Sequence, residues 1–185
     1  AKGVSTEFTL GYLGSLTEEK GIADLIRAFK SVAGDGKARL LVAGRGRADY
    51  VSFLHGLARG YRIEFLGYVP PDDMYASADV IVLPSRWHEP QARVLVEAAV
   101  YGVPVIGTTT GGTPEILSRH RTGWCYDPQD QNGLTRLLRE AVSKGPERWW
   151  QERDRTFPGI ATFKGTAAAS GYYDRLEEIL RSAVG

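Results

Sequence analysis

The sequence predicts an α/β fold: a Rossmann-like, doubly wound parallel sheet with helices on both faces. Short apolar segments alternate with segments of helical period along residues 8–107. Some of the short segments, such as 40–42 and 80–83, are apolar at every position. Strands that are apolar on both faces belong in a parallel sheet covered by helices on both sides, and parallel strands need crossover connections such as these helical segments.

Five strands and a series of helices are predicted in order along the chain. The strands lie at 8–13, 39–43, 62–66, 79–84 and 104–107. The helix after the first strand places four apolar residues at i, i+3, i+4 and i+7 of one face, Ile22, Leu25, Ile26 and Phe29. The other helical segments include 51–57, a short helix that begins at 70, and 94–100. The chain from residue 129 onward is predicted to be helical, with segments at 134–142, 147–155 and 176–184.

Length and composition indicate one soluble globular domain. The chain has 185 residues, of which 43% are hydrophobic and 24% charged, and its formal net charge is +1. A nearly neutral chain gives no reason to expect nucleic acid as a partner. No apolar run approaches the roughly 20 residues of a membrane span, and the three histidines lack metal-ligand spacing. The single cysteine excludes an internal disulfide and favours a reducing, cytoplasmic location.

The loops that follow the strands are the expected place for a ligand. In open α/β sheets, ligands bind at the carboxyl ends of the strands, where the strand order reverses. The loops to consider follow residues 13, 43, 66, 83 and 106, and four of the five contain a glycine close to the strand end. Because glycine also serves simply to make tight turns, a function needs further residues.

Two glutamates carry the first functional indication. Glu97 stands in the apolar stretch 94–100, and Glu89 precedes it by eight residues. A carboxylate on a packed helix is costly without a partner, and ribose hydroxyls can donate to both of its oxygens. Eight helical residues span at most roughly 12 Å, and the helix start between the glutamates would offer free amides to a diphosphate. The alternative is that Glu89 is a helix-start acid and Glu97 a solvated helical residue.

Motifs around these glutamates resemble those of a known family. The spacing E-x7-E is followed by Tyr-Gly-Val-Pro-Val-Ile at 101–106 and by Gly-Gly-Thr-Pro-Glu-Ile at 111–116. Together with 11–16, Lys20-Gly21, 41–46 and 65–69, these motifs resemble the C-terminal nucleotide-sugar-binding domain of retaining GT-B glycosyltransferases, glycosyltransferase group 1 or family 4-like. The resemblance covers about three quarters of the chain. It implies that residues 8–185 form one half of a GT-B fold and that the N-terminal acceptor domain lies outside this chain. Residues 1–7 themselves read as a linker or a leftover of expression.

The resemblance also implies roles for individual residues. Glu97 would bind the ribose, Glu89 the hydroxyls of the transferred sugar, and Lys20 the diphosphate, with Lys20 and Glu89 as the catalytic pair. The donor-binding set that it implies is Gly14, Ser15, Lys20, Gly67, Tyr68, Glu89, Gln91, Ala92, Arg93, Glu97, Gly111 and Gly112. The implied substrate is a UDP-, GDP- or ADP-sugar, with no cofactor and no metal.

Two positions depart from the family pattern. Ser15 stands where the family usually has an arginine that shares the diphosphate with the lysine, and Ala92 stands where it usually has glycine. A serine cannot supply the charged fork of an arginine. Arg45, Arg86 and Arg93 are the candidates to supply that charge instead, and the sequence does not choose among them.

The resemblance implies a hexosyltransferase that retains anomeric configuration without a metal and that is inactive without its acceptor domain. A catalytically degenerate sugar-nucleotide-binding module is the alternative that Ser15 suggests. An NAD-type Rossmann domain is disfavoured because Gly44-Arg45-Gly46 lacks the third glycine of the dinucleotide fingerprint. His88 is predicted to be a solvent-facing loop residue, and Trp149 and Trp150 are predicted to pack in the protein rather than to bind sugar.

Overall fold

The protein contains one six-stranded parallel sheet, which a computed structural model describes over residues 7–34, 36–88, 93–130 and 132–158. The strand order is β3-β2-β1-β4-β5-β6, and every pairing is parallel. The predicted fold class is therefore confirmed. The strands are β1 Phe8–Leu13, β2 Ala38–Ala43, β3 Ile63–Gly67, β4 Val80–Leu83, β5 Val105–Thr108 and β6 Gly123–Tyr126.

Helices connect successive strands and close the described part of the chain. They are α1 Ile22–Lys30, α2 Ala48–Ala58, α3 Pro71–Ser77, α4 Arg93–Val100, α5 Thr113–His120 and α6 Gly133–Thr156. Gly145 interrupts α6 with a φ of 69°, directly before Pro146. The two helices predicted at 134–142 and 147–155 are thus the two halves of α6. The helix predicted at 176–184 lies outside the described residues.

Two apolar cores lie on opposite faces of the sheet. The first core packs α1, α2 and α6 against one face, and the second core packs α3, α4 and α5 against the other. Alternate residues of β2 enter different cores, because Leu40 and Val42 belong to the first while Leu41 and Ala43 belong to the second. This double burial explains the unbroken apolar run that predicted a covered parallel strand.

The sequence did not predict β6 or α5, although the five predicted strands are all present within about one residue. All four residues of β6 are only half-buried, and the strand pairs with β5 on one side. Such a short edge strand has neither the alternation nor the continuous burial that marks a strand in sequence. Its existence depends on the tertiary pairing with β5.

Asp79 fastens α6 to the amino edge of the sheet. Its Oδ2 accepts a hydrogen bond of 2.7 Å from the Thr9 amide, and its Oδ1 accepts one from the Trp150 indole. The Trp149 indole donates to the Asp79 carbonyl oxygen at 2.8 Å, and the Trp149 side chain is buried. The prediction that the tryptophan pair packs within the protein is confirmed.

Candidate functional site

The crevice of the sheet opens between β1 and β4. These two strands are neighbours, yet the helix that follows β1 packs in the first core and the helix that follows β4 packs in the second. The chain therefore leaves the two strands in opposite directions, which creates a cleft at their carboxyl ends. The loops after β1 and β4 line this cleft, and they contain the residues predicted for the diphosphate.

Lys20 is held at the cleft by its two neighbours in sequence. The Arg86 amide donates to the Glu19 carbonyl oxygen at 2.8 Å. Gly21 has a φ of 67°, and a Cβ on it would lie 2.0 Å from the Pro84 carbonyl oxygen. Only glycine permits this close approach of two backbones. The half-buried Lys20 is thereby placed where the loops after β1 and β4 meet.

The loops after β1 and β2 are joined in the same way. The Leu16 amide donates to the Arg45 carbonyl oxygen at 2.9 Å, which forms an isolated parallel bridge between Leu16 and Gly46. A Cβ on Gly44 would lie 1.8 Å from the Gly14 carbonyl oxygen. Gly14 and Ser15 are therefore packed against the segment that contains Arg45.

The loops after β4 and β5 are tied together by hydroxyl groups. The Thr108 hydroxyl donates to the Ser85 carbonyl oxygen at 2.7 Å, and the Thr110 hydroxyl donates to the same oxygen at 3.1 Å. The Gly111 amide donates to His88 Nδ1 at 3.3 Å. These contacts bring the Gly111–Gly112 loop beside the segment that leads to Glu89. His88 is exposed as predicted, but it also holds this loop.

Glu97 is buried and already has partners within the protein. Its exposed fraction is 6%, so the alternative of a solvated residue is wrong. The Tyr75 hydroxyl donates to Oε2 at 2.9 Å, and Arg93 Nη2 lies 3.2 Å from Oε1. A carboxylate has about four acceptor positions, so these two contacts leave capacity for further donors. The ribose is therefore not needed to explain the burial, and the ribose role of Glu97 remains a prediction.

The tyrosine that contacts Glu97 belongs to a contact between α3 and the end of α4. Tyr75 stacks on Tyr101 with ring centroids 5.0 Å apart, and the Tyr101 hydroxyl donates to Asp72. Burial, and then the hydrogen bond to Asp72, raises the pKa of Tyr101 to about 12. The sequence does not mark Tyr75 as a site residue, because no spacing distinguishes it from a tyrosine that only packs.

The residues predicted for the base lie next to the loop after β2. Gly67 has a φ of 66° and accepts a hydrogen bond of 2.7 Å from the Gly44 amide. Tyr68 is 72% exposed. Its ring centroid lies 5.8 Å from the Cζ atom of Arg45. The loops after β3, β2 and β1 thus form one continuous rim.

Part of the predicted site falls outside the described residues, namely Glu89, Gln91 and Ala92. Within the described residues, the structure brings most of the other predicted positions to the carboxyl edge of the sheet. In that part of the chain, no group of three His, Cys, Asp or Glu residues could hold a metal ion. None of the helices described is both long and apolar enough to cross a membrane.

A cavity of about 440 Å³ lies between α1 and the start of α6, and it borders the loop after β4 through Pro84 and Arg86. Its lining includes Asp24, Arg27, Arg86 and Tyr126. Its two arginines are paired with Asp24, since Arg86 Nη2 lies 2.6 Å and Arg27 Nη1 3.2 Å from the Asp24 carboxylate. We place the candidate site at the cleft instead, because the topology and the close backbone contacts converge there.

Two curated proteins are similar to this chain in sequence. The chain is 37% identical over 136 residues to an uncharacterized glycosyltransferase, MJ1607, from Methanocaldococcus jannaschii, covering 69% of this chain and 35% of the relative. It is 36% identical over 139 residues to a GDP-mannose-dependent monoacylated alpha-(1-6)-phosphatidylinositol monomannoside mannosyltransferase from Corynebacterium glutamicum, covering 69% and 36%.

A solved structure matches most of the fold. The C-terminal domain of a glycosyl transferase group 1 family protein, LpcC, from Francisella tularensis superposes with a TM-score of 0.69 at 20% identity, covering 84% of this chain and 85% of that one. The chain spans about a third of the length of the curated relatives named above. The family model for glycosyl transferases group 1 matches residues 2–155. The chain therefore belongs to the group 1 glycosyltransferases.

Proposed function

We propose that this chain binds the donor of a retaining glycosyltransferase, which transfers a sugar from a nucleoside diphosphate sugar to an acceptor hydroxyl. The observation that carries the proposal is the position of Lys20, held between the loops that follow β1 and β4 by the backbone contacts of Glu19 and Gly21. A cation at this crevice is suited to an anionic ligand, and a diphosphate fits the general rule for ligand binding in such sheets. The name of the mannosyltransferase relative describes that protein as GDP-mannose-dependent.

Glu97 would bind the ribose with the acceptor positions that Tyr75 and Arg93 leave open. The hydrogen bond from Tyr75 and the ion pair with Arg93 hold the carboxylate before a ligand arrives, so little ordering would be needed on binding. The Gly111–Gly112 loop, held by Thr110 and His88, would lie against the donor phosphates or sugar. Gly67 and Tyr68 would contact the base from the far rim.

In the proposed reaction, negative charge develops on the departing diphosphate while the anomeric carbon becomes cationic. Lys20 and backbone amides would stabilise that charge without a metal or another cofactor. The leaving phosphate would accept the proton of the acceptor hydroxyl on the same face, which retains the anomeric configuration. Glu89 would orient the sugar rather than attack it.

The acceptor is proposed to bind a second, N-terminal domain. The chain spans about a third of its relatives, so this domain alone would bind the donor and transfer little. We also propose a cytoplasmic location, on the basis of the single cysteine.

The transfer reaction tests this proposal in the full-length protein. The protein is given an α-linked nucleoside diphosphate sugar, and the product is followed by proton NMR with and without EDTA. The product should be α-linked, and EDTA should leave the rate of its formation unchanged. Glu89→Ala should reduce turnover far more than it reduces affinity for free nucleoside diphosphate. A β-linked product would contradict retention, and loss of turnover in EDTA would contradict metal independence. Donor binding with no turnover by the full-length protein would favour the degenerate module that Ser15 suggests.

A further inference from the structure

The bridge between the first two loops makes Arg45 the neighbour of Ser15. Leu16 pairs with Gly46 in parallel register, so the residues one position earlier, Ser15 and Arg45, are also opposite each other. Neighbouring strands lie about 5 Å apart, and directly opposed residues present their side chains on the same face. Leu16 is only 3% exposed, whereas both Ser15 and Arg45 are exposed. Ser15 and Arg45 are therefore both exposed at the carboxyl edge of the sheet, opposite each other in this register.

The three candidate arginines, Arg45, Arg86 and Arg93, differ in their partners. Arg86 Nη2 lies 2.6 Å from Asp24, and Arg93 Nη2 lies 3.2 Å from Glu97. Arg45 forms no ion pair with a carboxylate of the described residues; its guanidinium instead lies over the ring of Tyr68. An aromatic ring attracts the cation without neutralising its charge, and a guanidinium has five N–H donors to offer. Of these three arginines, Arg45 is therefore the one whose charge remains available for an anion.

The backbone of Arg45 is fixed on both sides. Gly44 approaches the Gly14 carbonyl so closely that a Cβ would lie 1.8 Å from it, and a Cβ on Gly46 would lie 2.2 Å from the Leu16 carbonyl oxygen. With the main chain anchored in this way, only the side chain has to move to meet a ligand. Such preorganisation lowers the entropy that binding must overcome.

We propose that Arg45 binds the diphosphate of the donor as a second cation beside Lys20. This inference rests on the proposed function. A nucleoside diphosphate carries at least two negative charges, so a single ammonium group leaves charge unmatched. A guanidinium can meet two phosphate oxygens at once, which a lysine cannot do. In this arrangement the charge reaches the diphosphate from the loop after β2 and not from the loop after β1.

Calorimetric titration with UDP, GDP and ADP tests the role of Arg45. For the nucleotide whose base the unaltered chain accepts, Arg45→Gln should lower the affinity for the nucleoside diphosphate by about tenfold or more. Arg45→Lys should lose less affinity, since lysine keeps the positive charge but lacks the guanidinium that meets two phosphate oxygens. Arg59→Gln is the matched control: it removes the same charge from an exposed residue that follows α2, at the opposite edge of the sheet. Its affinity should equal that of the unaltered chain.

The nucleoside without phosphates separates the diphosphate from the base. Its binding, followed by ligand-observed NMR, should be nearly the same in the unaltered chain and in Arg45→Gln. Equal weakening of nucleoside and nucleoside diphosphate would assign Arg45 to the base together with Tyr68 and overturn the inference. Unchanged affinity for the diphosphate, with folding verified by circular dichroism, would overturn it as well. If the unaltered chain binds none of the three nucleotides, the proposed function fails first, and this inference fails with it.

Discussion

The hydroxyl of Tyr75 on α3 donates to Glu97 Oε2 on α4 across 2.9 Å, and both side chains are buried. This bond crosses between two helices that follow different strands of the sheet. It fixes one oxygen of Glu97, while Arg93 holds the other from the preceding turn of the same helix. The carboxylate at the candidate ribose position is thus oriented by the protein itself.

Removing this hydroxyl should destabilise the fold. Tyr75→Phe keeps the ring and its stacking on Tyr101 but leaves a buried carboxylate with one donor fewer. The free energy of unfolding should fall by about 1–3 kcal/mol, measured by urea denaturation. Tyr61→Phe is the control, because Tyr61 is 40% exposed. The fall in its free energy of unfolding should be well below that of Tyr75→Phe. Equal stability of the two variants would show that the Tyr75–Glu97 bond contributes nothing.

Glu97→Gln separates ribose binding from structural pairing. The amide keeps the shape but removes the charge that strengthens hydrogen bonds, each worth about 1.5–3 kcal/mol to a charged group. Nucleoside diphosphate affinity should fall about tenfold or more by calorimetry. Glu140→Gln changes an exposed glutamate on α6 and should leave affinity unchanged. If Glu97→Gln lowers stability but not affinity, the only partners of Glu97 are those within the protein.

A side chain at Gly21 should disturb both stability and binding. Its φ of 67° is unfavourable for other residues, and a Cβ would meet the backbone oxygen of Pro84. Gly21→Ala should therefore lower the free energy of unfolding by about 3 kcal/mol or more, and nucleotide affinity should fall because Lys20 shifts. Gly36 has a similar φ of 65° but open space around its Cβ position. Gly36→Ala should lower the free energy of unfolding by about 1 kcal/mol and leave nucleotide affinity unchanged. If both variants behave alike, the contact between Gly21 and Pro84 is unimportant.

Tyr101 should make stability fall in strong alkali. Burial and the bond to Asp72 raise its pKa in the folded protein from 10.0 to about 12, so the folded state keeps a proton that the unfolded state has lost. This contribution to stability is fully present below pH 10 and is lost as the pH rises from 10 to about 12. Denaturation across this window should show a shallower decline for Tyr101→Phe than for the unaltered chain. Identical slopes would show that Tyr101 titrates at its ordinary pKa.

Much of the fold could be predicted because the central strands are covered on both faces. The run at 80–83 is apolar at each position since the two cores take alternate residues, and this pattern is visible without a structure. The edge strand β6 has no such signal, as its residues are half-buried and its pairing with β5 is tertiary. A strand that is buried on both faces leaves an apolar run in the local sequence, whereas a strand at the edge of the sheet leaves no such pattern.

The candidate site divides in a similar way. Lys20 and Gly111 stand in motifs whose spacing is readable, and the structure brings both to the carboxyl edge. Tyr75 and Thr108 were missed, because each acts through a partner more than twenty positions away in the chain. The position of Arg45 opposite Ser15 was also beyond the sequence, since it follows from the Leu16–Gly46 register formed between two loops.

A thermal-shift panel with UDP, GDP, ADP and NAD tests the central claim of a nucleoside diphosphate site most directly. A ligand at a hundred times its dissociation constant stabilises the folded state by about 2.7 kcal/mol, which gives a readily measured rise in Tm. We expect at least one of the three nucleoside diphosphates to raise Tm and NAD to leave it unchanged. A rise with NAD alone, or no rise with any of the three nucleoside diphosphates, would contradict the account.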